Sequence, residues 1–365
     1  MKINSLLDKL FLSYVSYVRN KYSSRDLSSK RKYLTLNALS DSEKNELKRF
    51  WHAYGINISK DINWVEFYST VNGSFDKRFI PDNIYYSKID TFFTNNLSSK
   101  FFDDKNLYDL IFKDVNRPHT IVRKMKGVYM DANYHPISFQ QIQKLCEKSS
   151  GNLIIKPSVA SAGGRGIVFW NKRDKIEDFY EKLSTSDEII VQDIVNQHAN
   201  LSRIHKNSLN TIRVLTLYID NEVKVLSCVL RMGVNGNKVD NVSSGGISCG
   251  INADGTLKRF ACSKYGEKLE CHPQGIKFSD VIIPNFTEIL NKAKDLAPRL
   301  LGYTRLVSWD FSLDENAEPV LIEANLSFGE VDFHQMNNGP VFGDLTEKVL
   351  SEVFAKPRKR IYKYF

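Results

Sequence analysis

The sequence lacks the patterns that mark several large classes of protein. Its five cysteines are widely spaced and form no CxxC pair or Cys/His ligand pattern, which favours free thiols in a reducing compartment over a zinc site. No apolar run approaches the ~20 residues that a membrane-spanning helix needs. The apolar stretch LLDKLFLSYVSYV is interrupted by Asp8 and Lys9, so we expect an amphipathic helix there rather than a signal peptide.

Acidic residues are the minority among the charged side chains. The 365-residue chain has 51 Lys and Arg against 42 Asp and Glu, a formal net charge of +9. Such a balance attracts nucleic acid, anionic membrane surfaces or small anionic substrates. Because the cations of the first third are scattered rather than striped, we do not expect nucleic acid as a partner. The tail KPRKRIYKYF contributes part of the excess positive charge.

The first hundred residues show no strand–helix–strand alternation and no dinucleotide-binding glycine fingerprint. Their patterns predict helices instead, and the candidates are 4–22, 41–54 and 85–98. From residue 152 onward, short apolar strands alternate with helices and turns. The chain therefore divides into a mainly helical N-terminal region and a region of mixed strands and helices.

A glycine-rich turn lies between two apolar strands in the segment NLIIKPSVASAGGRGIVFW, residues 152–170. Glycines there allow successive N–H groups to point into one concavity suited to phosphate, and Lys156 adds a positive charge from the preceding strand. The turn leads to a strand and no GK[ST] follows, so it is neither a Walker motif nor a dinucleotide fingerprint. A plain tight turn is the alternative interpretation of this segment.

A second polar group is predicted in the hairpin SWDFSLDENAEPVLIEANL, residues 308–326. Glu323 and Asn325 are two residues apart and share a face of their strand, while Asp310 can face them from the neighbouring strand. Apolar neighbours imply burial, and buried carboxylates require a positive partner. Oxygen ligands of this kind suit Mg²⁺ that also holds phosphates. An ordinary solvated hairpin face is the alternative.

Taken together, these motifs resemble those of the ATP-grasp superfamily, and within it the sugar-transfer-associated ATP-grasp family. The resemblance covers about residues 75–345, and its elements follow the family's order: DDKNL, IIKPSVASAGGRGI, VQDIV, HKNSLNTIRVLTL, LRMGVNGNKVDNVSSGGI, SWDFSL and VLIEANLSFG. It implies an α+β, ATP-grasp fold in which two α+β subdomains grip ATP. The expected boundaries are 1–100 for a helical N-terminal domain, 101–195 and 196–355 for the two subdomains, and 356–365 for a basic tail.

The resemblance also implies residues that bind the nucleotide. Lys105 and Lys156 match family lysines that reach the ATP phosphates, and the glycine loop closes over those phosphates with Arg165 at its tip. The segment VQDIV matches the linker whose edge backbone groups read adenine. The nucleotide-binding candidates are Lys105, Lys156, Ser161, Gly163, Gly164, Arg165, Gly166, Gln192, Asp193 and Ile194.

Two arginines are the candidate catalytic residues beside Lys156. Arg213 lies in an otherwise apolar row of its strand, where a cation requires an anion. The resemblance assigns it to the γ-phosphate, and Arg231 to the carboxylate of the substrate; structural ion pairs are the alternative for both. The implied substrate-binding residues are Arg231, Asp240, Asn241, Gly245 and Gly246, and the implied ligands of two Mg²⁺ ions are Asp310, Glu323 and Asn325.

This set of residues predicts an Mg²⁺- and ATP-dependent carboxylate–amine ligase that acts through an acyl phosphate. The family's name implies a sugar acid or polysaccharide precursor as substrate, a role in surface polysaccharide or capsule biosynthesis, and glycosyltransferase machinery as a partner. We expect a cytoplasmic protein, with a peripheral place on the inner membrane face as an option. The alternatives are a kinase, an amino acid or peptide ligase, and a non-catalytic ATP-binding partner of a glycosyltransferase complex.

Overall fold

The protein contains short and long helices around two antiparallel sheets. The computed structural model describes residues 2–95, 99–149, 152–159, 164–237, 240, 245–327 and 329–355. The helices are α1 (Lys2–Lys30), α2 (Asp41–His52), α3 (Ile62–Asn72), α4 (Asp82–Ile84), α5 (Asp90–Phe93), α6 (Tyr108–Ile111), α7 (Phe139–Lys148), α8 (Ile176–Ser184), α9 (Ala199–Ser202), α10 (Phe286–Leu296), α11 (Val331–Asn338) and α12 (Thr346–Ala355). The strands are β1 (Thr120–Met125), β2 (Val128–Met130), β3 (Asn152–Pro157), β4 (Val168–Asn171), β5 (Ile189–Asp193), β6 (Thr211–Ile219), β7 (Glu222–Met232), β8 (Ile247–Ile251), β9 (Leu257–Ser263), β10 (Lys268–Leu269), β11 (Leu306–Leu313) and β12 (Pro319–Asn325).

The smaller sheet has five strands in the order β2-β1-β5-β3-β4. One of its faces packs against α7 and α8, which bury Ile142, Cys146 and Phe179 against Leu153 and Ile155 of β3. Helix α7 begins with a capping box, because the side chain of Ser138 and that of Gln141 each bind the other's backbone N–H. The residues of β3 alternate, so Lys156 points away from this core while Leu153 and Ile155 point into it.

The larger sheet has seven strands in the order β10-β9-β8-β7-β6-β11-β12. On β6, Ile212 and Val214 face the core that contains α10, whereas Leu215 and Leu217 face the opposite core. A register irregularity between Leu215 and Thr216 accompanies this arrangement. Both faces of the sheet are therefore covered, which explains why β6 is apolar along nearly its whole length.

The N-terminal helices and one face of the larger sheet share a single apolar core. Trp51, Tyr68 and Phe79 from the helical region lie in the same buried cluster as Leu217 of β6 and Val349 of α12. Helix α2 is well delimited, since Ser40 and Glu43 form a capping box at its start. The helical region thus rests directly on the sheet that carries the predicted metal ligands.

The expected N-terminal helices are present with different bounds. Helix α1 extends to Lys30 instead of residue 22, and α2 ends at His52. The third candidate, 85–98, is wrong as one continuous α-helix. It consists of a π-helical turn, Tyr85–Ile89, followed by α5, which ends where Thr94 forms a β-bridge with Thr304. Its last residues, 96–98, lie outside the described part of the chain, as does the basic tail 356–365.

Within the described ranges, no helix combines the length and the apolar character that crossing a bilayer requires. The longest, α1, has 29 residues but carries charged and polar side chains throughout.

We predict that Leu217→Ala lowers the free energy of unfolding by about 2–5 kcal/mol. Leu217 is fully buried where the N-terminal helices meet the larger sheet, so its truncation leaves a cavity in their shared core. Denaturant unfolding followed by circular dichroism measures the change. Ile282→Ala is the control, since Ile282 is 54% exposed and should change stability by less than about 0.5 kcal/mol. An equally small change for both variants would contradict the shared core.

Candidate functional site

The predicted metal hairpin forms as expected from the alternation of its residues. Strands β11 and β12 pair so that Asp310 lies opposite Glu323 and Ser308 opposite Asn325. A register irregularity follows Asp310, so that Phe311 pairs with Leu321. The two carboxylates and the amide therefore lie on one face of the sheet, at its β11–β12 edge.

Asp310 is held by two buried arginines. Arg213 makes a two-pronged contact with Asp310. Its Nε donates to Oδ1 and its Nη2 donates to Oδ2, each at 2.7 Å. Arg231 Nη1 lies 3.2 Å from Asp310 Oδ2, and Asn325 donates to the same oxygen at 3.4 Å. The remaining side of Arg213 donates to Glu330. Such charge-assisted contacts are the condition under which these side chains can be buried.

The burial and the charges act against each other on the pKa of Asp310. Burial alone would raise it, but the positive Arg213 and Arg231 outweigh burial and hold the pKa of this carboxyl below its usual range. Burial likewise tends to lower the pKa of Arg213, and Asp310 and Glu330 raise it overall. Both groups are therefore charged at neutral pH.

Two lysines, Lys105 and Lys156, lie near Glu323 on the side of the hairpin that faces the smaller sheet. Lys105 Nζ forms an ion pair of 2.7 Å with Glu323 Oε1, and the backbone N–H of Lys105 donates to the carbonyl of Ser158, just beyond β3. Burial and the nearby positive Lys105 lower the pKa of Lys156 to about 8, although Glu323 opposes them. The 3₁₀ turn Lys105–Leu107 thus joins the lysine of the smaller sheet to the hairpin of the larger one.

We call these side chains the ion cluster: Lys105, Lys156, Arg213, Arg231, Asp310, Glu323 and Glu330. Two cations predicted to meet phosphate are paired with carboxylates, Lys105 with Glu323 and Arg213 with Asp310, and these carboxylates are themselves predicted to bind metal. A divalent cation on the carboxylates and phosphate groups on the lysines and arginines would replace these pairs while keeping the charges balanced. Glu323 is only partly buried, and Asn325 uses its amide nitrogen, which leaves its carbonyl oxygen as a ligand. These donors fit a hard cation such as Mg²⁺.

Only the end of the predicted phosphate-binding loop is described. Gly164 and Gly166 both have positive φ, at 70° and 75°. A Cβ atom at Gly166 would lie 3.0 Å from Pro157 Cγ, so the turn returns close to β3 and favours glycine there. Arg165 between them is exposed, and Ser161 and Gly163 lie outside the described residues.

The predicted adenine-binding linker differs from expectation in its backbone. Strand β5 lies in the middle of the smaller sheet rather than at an edge. The N–H of Asp193 donates to the carbonyl of His119, and the N–H of Ile194 donates to that of Asn152. Both N–H groups are therefore already bound in this structure, and recognition of adenine by this linker stays a prediction.

The side chains of the linker occupy two different environments. Gln192 is buried and donates to the carbonyl of Pro118 and to Thr120. Asp193 Oδ2 lies 3.0 Å from His119 Nδ1, and both line an open depression of about 230 Å³ beside the β11–β12 turn. Asp193 and Ile194 thus border a solvent-accessible space, whereas Gln192 stabilises the sheet.

The predicted substrate-binding residues lie near Arg231. Asp240 accepts a hydrogen bond from Thr211, and its Oδ1 lies 3.8 Å from Arg231 Nη2. Gly245 has a φ of 96°, and Gly246 directly precedes β8, the strand that pairs with β7 and its Arg231. Asn241 lies outside the described residues.

Sequence reasoning missed Glu330 and His334. Glu330 precedes α11 with a φ of 54° and binds Arg213, and the only signal was an acidic residue closely following the metal segment. His334 is fully buried on α11, with Nδ1 2.8 Å from the Ser227 hydroxyl. Burial and the positive Arg213 lower its pKa to about 3, so it is neutral. No sequence pattern singled it out.

Comparison with protein-family models gives a match that covers most of the chain. A family model described as sugar-transfer associated ATP-grasp matches residues 90–350. No curated protein matches the chain.

Several solved structures are similar at low identity. The ATP-grasp ligase PsnB, complexed with a minimal precursor, is 15% identical with a TM-score of 0.42, over 71% of this chain and 64% of that chain. N5-carboxyaminoimidazole synthetase from Staphylococcus aureus, complexed with ADP, is 12% identical with a TM-score of 0.41, over 72% and 54%. D-alanyl-alanine synthetase A from Vibrio cholerae is 11% identical with a TM-score of 0.42, over 71% and 66%. The chain thus spans between about half and two thirds of these proteins, and such weak similarity carries no argument about chemistry.

We predict that Asp310→Asn lowers the free energy of unfolding by about 3 kcal/mol or more. The substitution keeps the shape of the side chain but leaves two buried guanidinium groups without the carboxylate they share. Denaturant unfolding of the ligand-free protein measures the change. Glu318→Gln removes an exposed carboxylate from the turn of the same hairpin and serves as the control. Equal stability of the two variants would show that the arginines do not depend on Asp310.

Proposed function

Because the chain belongs to the sugar-transfer-associated ATP-grasp family, we propose that it is an ATP-dependent carboxylate–amine ligase. The family and the α+β, ATP-grasp fold predicted from the motifs are confirmed by the match over residues 90–350. The observation that carries the proposed activity is the ion cluster, in which buried cations and oxygen ligands for a metal are paired with each other at the junction of the two sheets.

In the proposed site, Lys105 and Lys156 bind the phosphates of ATP, and the turn that contains Gly164 and Gly166 closes over them. Glu323, Asn325 and Asp310 would hold Mg²⁺, and we propose two ions. When bound, Mg²⁺ neutralises charge on the phosphate oxygens. Support comes from the 2.7 Å contact of Lys105 with Glu323, because the proposed phosphate-binding cation and the proposed metal ligand are neighbours.

The proposed reaction has two steps. A carboxylate oxygen of the substrate attacks the γ-phosphorus of ATP, the bond to the β,γ-bridging oxygen breaks, and ADP leaves. An amine then attacks the carbonyl of the acyl phosphate, inorganic phosphate leaves, and the amine loses a proton. Arg213 stabilises charge on the transferred phosphoryl group, and Arg231 orients the substrate carboxylate. Asp310 binds both guanidinium groups and Glu330 binds that of Arg213, and these carboxylates favour the charged form of the arginines.

The substrate class is proposed from the family's description. A sugar acid, or a polysaccharide precursor that carries one, would supply the carboxylate, and an amino acid or amine the nucleophile. We propose a role in surface polysaccharide or capsule biosynthesis, in the cytoplasm and beside glycosyltransferase machinery. The buried cysteines Cys146, Cys228, Cys249 and Cys262 are free thiols, as a reducing compartment allows.

We predict that Glu323→Gln reduces turnover to background while leaving the fold intact. The side chain of Glu323 is 31% exposed, and glutamine keeps an oxygen that can accept from Lys105, so we expect the fold to be retained while a charged metal ligand is lost. The measurement is ADP and phosphate release with Mg²⁺, ATP, and a panel of uronic acids and amino acids. Glu318→Gln should retain full activity. Undiminished ADP formation by Glu323→Gln would contradict the assignment of Glu323 as an Mg²⁺ ligand.

The same assay separates the ligase from a kinase. A ligase releases ADP and free phosphate only when carboxylate and amine are both present, and the product gains the mass of an amide. A kinase leaves phosphate on its product and needs no amine. Phosphorylated product without free phosphate would therefore overturn the ligase proposal but keep the nucleotide site.

We predict that nucleotide affinity falls as the pH rises through about 8. The ammonium of Lys156 is charged below its pKa of about 8 and neutral above it, and a bound phosphate favours the charged form. Binding should therefore take up a proton at about pH 8–9 but not near pH 7. Calorimetric titration with Mg·ADP in buffers of different ionisation enthalpy measures this uptake. In Lys156→Arg, which stays charged, the uptake should vanish; uptake equal to the wild type's would assign it to another group.

A further inference from the structure

Helix α1 is fixed to the protein by one side of its C-terminal part. Arg19 donates to Asp90 at 3.1 Å, and Lys30 binds Asp332 at 2.9 Å and Asp26 at 3.2 Å. Ser23 and Leu27, which complete the buried residues of α1 among its described side chains, follow Arg19 at helical spacing. The buried side chains of α1 thus lie along one side of the helix, and this side contacts the rest of the protein.

The opposite side of α1 carries a row of apolar side chains that face solvent. Leu10, Tyr14, Tyr17 and Val18 are 58%, 66%, 63% and 44% exposed. Their spacing of four, three and one places them on one face, the pattern that normally packs against a core. In the described part of the chain, nothing covers this face.

Basic residues continue the same row toward the body of the protein. Lys21 follows Tyr17 by four residues, and its Nζ lies 6.0 Å from the Tyr17 ring centroid. The row then borders an open depression of about 470 Å³, lined by Lys21, Ser24, Arg25, Ser28, Ser29 and Lys32. The nearby acidic residue Asp26 does not line this depression; it binds Lys30 on the attached side. We call Leu10, Tyr14, Tyr17, Val18, Lys21 and Arg25 the outer row.

We propose that the outer row docks on an anionic lipid bilayer, with its apolar half in the interface and its basic half against lipid phosphates. Tyrosine and aliphatic side chains on one face of a helix, next to lysine and arginine, are the chemistry that lies in the plane of a membrane surface. The cations of the depression, Lys21, Arg25 and Lys32, suit the oxygens of a phosphate headgroup. The net charge of +9 adds attraction to an anionic surface.

A second copy of the chain fits this surface less well. A two-fold symmetric contact would bring the outer row of one copy against the same row of the other, with Lys21 and Arg25 of both in one interface. The described side chains of the row include no carboxylate to balance them, so the charge favours an anionic partner over self-association.

Cosedimentation of the full-length protein with vesicles tests the proposal. We expect binding to vesicles that contain phosphatidylglycerol, and at least roughly tenfold weaker binding to pure phosphatidylcholine or at high salt. The double variant Lys21→Gln, Arg25→Gln should bind roughly thirtyfold more weakly. Its control, Lys48→Gln with Arg49→Gln, removes two exposed charges from α2 and should bind like the wild type.

The apolar half is tested separately. Tyr14→Ser with Tyr17→Ser should lose most binding to the anionic vesicles, whereas Leu110→Ser with Ile282→Ser, which removes two exposed aliphatic side chains elsewhere, should not. Circular dichroism confirms that each variant keeps its helix content. The basic tail is unchanged in all of them.

Three outcomes would overturn the proposal. The first is the absence of wild-type binding to anionic vesicles. The second is binding by both outer-row variants equal to their controls, which would assign membrane binding to another part of the chain, such as the tail. The third is a dimer, detected by analytical ultracentrifugation and abolished by the Tyr14 and Tyr17 substitutions, together with vesicle binding that those substitutions leave unchanged.

Discussion

The buried contact between Arg213 and Asp310 joins the adjacent strands β6 and β11 at the site. A guanidinium and a carboxylate are each costly to bury alone, and together they are held by two contacts of 2.7 Å. Arg231 and Glu330 extend this pair in two directions, toward β7 and toward the start of α11. The charges are therefore positioned before any ligand arrives, which is the arrangement that stabilises developing charge most effectively.

The surrounding fold maintains that arrangement. Both faces of the larger sheet are covered, one by the core that includes α10 and the other by the core shared with the N-terminal helices. Residues 1–100 were predicted as a domain of their own, and that boundary stays a prediction. The contacts do show that Leu215 and Leu217 of the Arg213 strand pack in the same cluster as the N-terminal helices. The packing of β6 thus depends in part on the N-terminal helices, most of which precede the residues matched by the family model.

Agreement between sequence and structure was greatest where short-range periodicity sets the geometry. The two-residue spacing of Glu323 and Asn325 was sufficient to predict a shared face, and the observed register places Asp310 opposite Glu323. The linker at Gln192 to Ile194 shows the limit of this reasoning. Whether β5 lies at an edge depends on which strands pair with it, and such pairing between distant segments is not encoded in local spacing.

The sequence by itself determined the apolar alternation of the strands, the glycine-rich turn, the order of the motifs and hence the family. It also placed acidic, amide and basic residues where oxygen ligands and anion partners would be needed. Only the tertiary structure decided which charges meet: Lys105 with Glu323, Arg213 with both Asp310 and Glu330, and His334 as a buried neutral group. Each of these contacts joins residues that are 97 or more positions apart in the chain. The reason is physical, since burial and Coulomb interactions act through space and follow the packing of whole elements rather than the order of the chain.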